Sequence, residues 1–197
     1  MARWNTIARG SALAAVAALA LAACSTSDDP GDNSGSPAPG GDGDGSALVI
    51  GSLLPQTGSL AFLGPPEIAG VDLAIKDINE AGGVNGQDVT VVHTDSSDAD
   101  NPTVASTSVD KLISDGVGAI VGAASSTVSL NVVDTIAAAS IVQISPANTS
   151  TKLSGYSPFY FRVAPPDTIQ GDVMGKLLLD DGKKNISILV FNDDYGT

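Results

Sequence analysis

From residue 47 onward, short and wholly apolar runs alternate with longer stretches in which apolar residues return every three or four positions. Ala47 to Leu54 is a run of strand length closed by Pro55. Glu67 to Ala81 then sets Ile68, Val71, Ala74, Ile75 and Ile78 on one helical face, with Gly82-Gly83 as the stop. Asp88 to His93 predicts a second strand. Asn101 and Pro102 suit the cap and first turn of a helix whose buried stripe is Val104, Ala105, Val109, Leu112 and Ile113, ending at Gly116. Gly118 to Val121 predicts a third strand, and Ser125-Ser126-Thr127 opens a helix running to Ala139. Ile141 to Ile144 and Phe159 to Val163 are further extended segments. After Pro165-Pro166, Asp167 and Gln170 have capping-box spacing ahead of a helix with Ile169, Val173, Met174, Leu177 and Leu178 on its apolar face. Ile186 to Phe191 closes the series as a strand with buried character.

This alternation with short connections predicts an α/β domain: a parallel sheet flanked by helices. In such sheets ligands bind beyond the carboxyl ends of the strands, so four loops carry the candidate chemistry: 55–65, 123–127, 145–149 and 192–196. The loop Gly122-Ala123-Ala124-Ser125-Ser126-Thr127 places hydroxyls at a helix N-terminus, where backbone N–H groups and the helix dipole favour a carboxylate without any lysine or arginine. The same hydroxyls can simply cap their own helix. Ser145-Pro146-Ala147-Asn148-Thr149-Ser150 is a second cluster of hydroxyls and turn formers, and Tyr195 is placed to present its ring to a cleft or to solvent.

Ahead of residue 47, Arg3 and Arg9 precede a short Ala-rich apolar run that ends in Leu21-Ala22-Ala23-Cys24. A small-residue cleavage site directly before a cysteine reads as a bacterial lipobox, with residues 1–23 as the leader and Cys24 as the lipidated N-terminus. Residues 24–46 are rich in Gly, Asp, Ser and Pro and cannot bury enough apolar surface to offset the entropy of ordering, so they read as a flexible acidic linker. The domain is therefore expected outside the cytoplasm, held to the cell membrane by its lipid alone.

Composition removes several function classes. The net charge is −13 and grows more negative once Arg3 and Arg9 leave, which excludes nucleic acid and anionic lipid surfaces as main partners. A single cysteine leaves no internal disulfide. No Gly-x-Gly-x-x-Gly follows the first strand, no Walker lysine follows Gly51 and no Gly-x-Ser-x-Gly elbow is present, so no cofactor is predicted. His93, the sole histidine, sits within a strand pattern as a structural residue. Asp95, Asp98 and Asp100 read as a solvated loop, with no metal-ligand spacing among them.

Several stretches together resemble the periplasmic leucine/isoleucine/valine-binding proteins, the type I solute-binding proteins of ABC importers. They are Gly64 with Gly70-Val71-Asp72-Leu73-Ala74-Ile75-Lys76-Asp77-Ile78-Asn79, Gly82-Gly83-Val84-Asn85-Gly86, Ile120-Val121-Gly122 with the serine loop, Ile144-Ser145-Pro146-Ala147-Asn148-Thr149, Phe161-Arg162 and Asp194-Tyr195-Gly196. The resemblance implies a two-lobed fold, with residues 47–165 as part of the first lobe and 166–197 as the start of a truncated second lobe. It implies a small amino-acid or amide ligand, delivered to ABC permease and ATPase subunits without catalysis. By the same likeness, Ser126 and its neighbour Ser125 would meet the ligand's carboxylate, Ala147 its ammonium and Thr149 both. Tyr195 would close from the second lobe, and Phe62 and Leu63 would lie against the ligand side chain. Some relatives carry a disulfide at the positions held here by Ser97 and Ser125. A ligand-sensing receptor of the same fold, and an anchored hydrolase using Ser125 or Ser126, remain open alternatives at this point.

Overall fold

The computed structural model describes residues 46–196; the leader, Cys24 and most of the linker lie outside the described residues. β1 (Val49–Leu54) leads through α1 (Gly64–Glu80) to β2 (Thr90–Asp95), and α2 (Pro102–Ser114) leads to β3 (Ala119–Gly122). α3 (Ser126–Ala138), β4 (Val142–Ser145), a 3-10 turn at Thr151–Leu153, β5 (Tyr160–Arg162) and α4 (Asp167–Asp180) follow. The five strands form one sheet in the order β2-β1-β3-β4-β5, and every neighbouring pair is parallel. The order reverses between β1 and β3, which makes the space beyond their carboxyl ends the switch point of the sheet.

Side chains alternate across each strand, so the two faces of β1 meet different helices. Leu53 packs with Ile120, with Ala105, Val109 and Leu112 of α2, and with Val128, Val132 and Ile136 of α3 in one buried core. Gly51 shares that face, where a Cβ would touch the Leu112 side chain. Ser52, on the other face, donates to or accepts from His93 Nδ1 at 2.7 Å, and His93 Nε2 reaches Asp72 of α1 at 2.9 Å. These contacts tie α1 to the opposite side of the sheet.

Boundaries differ from the sequence pattern for local reasons. α1 begins at Gly64 rather than Glu67, because Pro65-Pro66 suits a first turn whose N–H groups need no partner. β2 begins at Thr90 rather than Asp88, because the Val89 backbone is taken by the Asn79 side chain, which accepts from its N–H and donates to its carbonyl. Asp167 lies in the first turn of α4, with Pro166 at the cap position and no side-chain capping bond.

Two expectations are corrected. Residues 186–191 form no strand, and Ile188 and Leu189 are 82% and 100% exposed. A strand needs a neighbour for its backbone hydrogen bonds, and no strand pairing includes this segment. The α4 stripe likewise stays open, since none of its residues is buried.

Candidate functional site

The switch-point crevice is built by four loops. The loop after β1 (residues 55–63) faces the turn after β3 (123–125), and Ala147 of the turn after β4 and residues 191–195 complete the surround. Together they enclose a cavity of about 520 Å³, within the range of small-molecule sites. Phe62, Leu63, Ser125, Ala147 and Tyr195 line it, along with Ser59, Asp98, Asp100 and Asp193. Phe62 is 70% exposed, so the loop holds an aromatic ring out toward the hollow instead of packing it in the core.

Gly122 makes the turn after β3 possible. Its φ is +131° and a Cβ there would lie 2.0 Å from the Leu53 carbonyl oxygen, so only glycine fits. The chain then enters α3, where the Ser125 hydroxyl accepts from Val128 N–H at 3.3 Å and caps the helix. Ser126, 1% exposed, has a different task. Its hydroxyl accepts from the N–H groups of Thr149 and Ser150 at 3.4 and 3.3 Å, which stitches the β4 turn to the start of α3. Ser126 and Thr149 are thus adjacent, just behind the cavity wall rather than in it.

Thr149 Oγ1 is buried and has no hydrogen-bond partner among the described residues. A hydroxyl in that state has lost water without compensation, which costs about 1–3 kcal/mol until something pairs with it. It adjoins the N-terminus of α3, where Ser125 already takes the Val128 N–H and the N–H groups ahead of it have no partner within the helix.

A buried polar framework holds these turns. Asn148, fully buried, donates to the Ala124 carbonyl at 2.7 Å and accepts from the Tyr160 hydroxyl at 2.8 Å. Burial pushes the Tyr160 phenol up to about 12, so it stays a donor at every physiological pH. Ser145 donates to the Ala123 carbonyl at 2.7 Å and accepts from Asn148 N–H at 3.0 Å. Gln143 donates to the Gly122 carbonyl at 3.0 Å. Arg162 closes the far side with bonds to Ser150 O and Ser154 Oγ, each 2.7 Å. Sequence reasoning named none of these five as residues that touch the ligand. The density of short polar residues after an apolar strand was the available signal.

The acidic loop is also corrected: Asp95 and Asp98 are bonded to the loop after β1, not free in solvent. Asp95 accepts from Gln56 N–H, Thr57 N–H and the Thr57 hydroxyl, and Asp98 accepts from Ser59 N–H at 2.7 Å. Burial alone would raise the Asp95 pKa, but bonds from Thr57, Ser97 and Gln56 outweigh it and hold it below the ordinary value. The Ser59 N–H, with the Asn101 amide, lowers Asp98 likewise.

Neither loop serine has a base. The single histidine is bound to Ser52 and Asp72, and Ser52, although part of a serine–histidine–aspartate chain, is fully buried and unreachable by substrate. Among the described residues no group of three or more His, Cys, Asp or Glu is placed to hold a metal ion. The segment 192–196 is anchored to the serine loop: Asp194 N–H donates to Thr127 Oγ1 at 2.9 Å, and its carboxylate pairs with Lys152.

Residues 47–197 match the sequence profile of the family described as periplasmic binding protein. The chain belongs to that family. It is 33% identical over 153 residues to a Leu/Ile/Val-binding protein homolog 2 of Brucella abortus, covering 76% of this chain and 40% of the relative. It is 34% identical over 145 residues to the leucine-, isoleucine-, valine-, threonine-, and alanine-binding protein of Pseudomonas aeruginosa, covering 72% and 38%. Among solved structures, it is similar to the branched-chain amino acid transporter substrate binding protein LivJ of Streptococcus pneumoniae in complex with isoleucine. That match has 30% identity and a TM-score of 0.62, over 68% of this chain and 38% of that one. A solute binding protein of R. palustris in complex with 4-hydroxybenzoate, at 19% identity and TM-score 0.69 over 77% and 40%, shares the fold alone. The chain thus spans about two fifths of the length of its family relatives.

Proposed function

We propose that this periplasmic binding protein captures a small zwitterionic amino acid outside the cytoplasm and hands it to an ABC permease. The observation that carries the reading is the buried, unpartnered Thr149 hydroxyl beside the N-terminus of α3. A charged ligand group would complete it once the turn after β4 admits that group, because the hydroxyl lies behind the cavity wall. Ser126 and the first-turn N–H groups of α3 would take the carboxylate, with Ser125 at the rim. The Ala147 carbonyl and Thr149 would take the ammonium, Phe62 and Leu63 the side chain, and Tyr195 would cover the ligand from the opposite side. No bond is made or broken, and closure would act by population shift.

The charge of the hollow favours a zwitterion over a simple acid. Asp98, Asp100 and Asp193 line it and no lysine or arginine does, so a ligand with only negative charge would meet repulsion with no cation to offset it. Cys24 would carry the lipid that keeps the protein at the membrane, with residues 25–46 as spacer.

A thermal-shift screen of the free amino acids, small amides and 4-hydroxybenzoate tests this. Branched-chain amino acids should raise the melting temperature, and the rise should grow with the logarithm of ligand concentration once that exceeds Kd. A shift with 4-hydroxybenzoate and none with any amino acid would overturn the ligand class.

A further inference from the structure

The loop after β1 is one wall of the cavity, yet its first half has little internal support. Ala61 N–H bonds Gly58 O at 3.2 Å and Leu63 N–H bonds Leu60 O at 2.9 Å, so the second half folds on itself. The N–H groups of Gln56, Thr57 and Ser59 instead turn to two carboxylates about 40 residues further along the chain, Asp95 and Asp98. We propose that Asp95 and Asp98 are positioning residues for ligand recognition, holding the loop that carries Phe62 and Leu63 in the shape that grips the ligand's side chain.

The fit between Asp98 and this loop is tight. Gly58 has φ +83°, and a Cβ there would lie 2.4 Å from Asp98 Oδ2, so the carboxylate fills the space a side chain would need. Its other oxygen, Oδ1, accepts from Asn101 Nδ2 at 3.0 Å and from Asp100 N–H at 3.2 Å, which fixes the group from its own side. Asp95 Oδ1 is fixed in the same manner by Ser97 N–H at 2.8 Å. Both aspartates therefore spend their acceptors on backbone and neighbours rather than on a ligand. Beyond the negative charge that Asp98 lends the cavity wall, their effect on binding passes through the loop. Asn101, at the cap position of α2, makes no capping bond and serves this clamp instead.

The inference rests on the amino-acid reading above, and it makes a separable demand. If the clamp orders the loop for side-chain recognition, its removal should weaken a ligand with a large side chain and spare one with a small side chain. Asp98→Ala, Asp98→Asn and Gly58→Ala are compared with the unaltered protein by calorimetric titration with L-leucine and L-alanine, and by amide hydrogen exchange of residues 56–59 without ligand. Each variant should lose roughly tenfold or more in leucine affinity, as for a charge-assisted hydrogen bond, while alanine changes by less than about threefold. Exchange at Ser59 should quicken by roughly tenfold or more as the loop opens locally. Asp98→Asn keeps the side chain's shape and serves if Asp98→Ala does not fold.

An unchanged leucine-to-alanine ratio overturns the inference, as does unchanged exchange at Ser59 in both Asp98 variants. If the unaltered protein binds neither amino acid, the functional reading fails by itself. Faster exchange in the variants then supports the clamp, and unaltered exchange removes it.

Discussion

Replacing Asn148 by alanine should be the most damaging single change in the polar framework. The side chain is fully buried and serves two buried groups, the Ala124 carbonyl and the Tyr160 hydroxyl, the second of which also has Ser145 within hydrogen-bonding reach. The carbonyl left unpaired costs about 1–3 kcal/mol and the hydroxyl up to as much again, so the loss should be roughly 1–6 kcal/mol. Against the roughly 5–15 kcal/mol typical of a domain, that is a large share. Tyr160→Phe removes one of the two demands at its source but leaves the buried Asn148 Oδ1 without its donor, so it should cost about 1–3 kcal/mol. The pair is therefore strongly coupled: the double variant should be more stable than the two single losses added together, by roughly 0.5–3 kcal/mol. Urea unfolding followed by circular dichroism measures all four corners of this cycle. A loss below about 0.5 kcal/mol for Asn148→Ala, or strict additivity in the double variant, would refute the claim that this amide bridges the serine loop to β5.

Acid should loosen the loop after β1. The pKa values of Asp95 and Asp98 lie below the ordinary 3.8 in the folded protein, so the folded state binds fewer protons than the unfolded state near that pH. Their contribution is complete above about 3.8 and is lost as pH falls through the lowered folded values. Stability curves of the unaltered protein and of Asp95→Asn should therefore converge at acid pH and separate above it; a constant gap would mean the carboxylates are not the cause. Cys24→Ser should move the protein from the membrane fraction to the soluble extracytoplasmic fraction, and retention at the membrane in that variant would remove the proposed anchor.

The order of strands and helices was legible because burial imposes a period on the sequence, 2 in a strand and 3.6 in a helix. Val104 to Ile113 and Ile120-Val121 form the helix and strand expected of them, with Ala105, Val109 and Leu112 buried, although Val104, expected in the buried stripe, is exposed at the first turn. What period cannot carry is the identity of hydrogen-bond partners. Val89 reads as strand, yet its backbone belongs to Asn79. Ile186 to Phe191 has the apolar pattern of a strand, but apolarity does not supply a neighbouring ladder. The same gap explains the site. Ser126 and Thr149 stood out as hydroxyls after strands, which is a local property. That Asp98 reaches Ser59, or that Asn148 joins Ala124 to Tyr160, is decided by how distant turns meet at the sheet edge, and no spacing along the chain encodes it.

The most direct test of the central claim is Thr149→Val, measured for stability and for branched-chain amino acid affinity on the same samples. The substitution keeps the shape and deletes a buried hydroxyl that nothing among the described residues satisfies. The variant should be as stable as the unaltered protein or up to about 1 kcal/mol more so, and should bind roughly tenfold to a hundredfold more weakly. Unchanged affinity together with lowered stability would mean that the hydroxyl serves the fold and not a ligand.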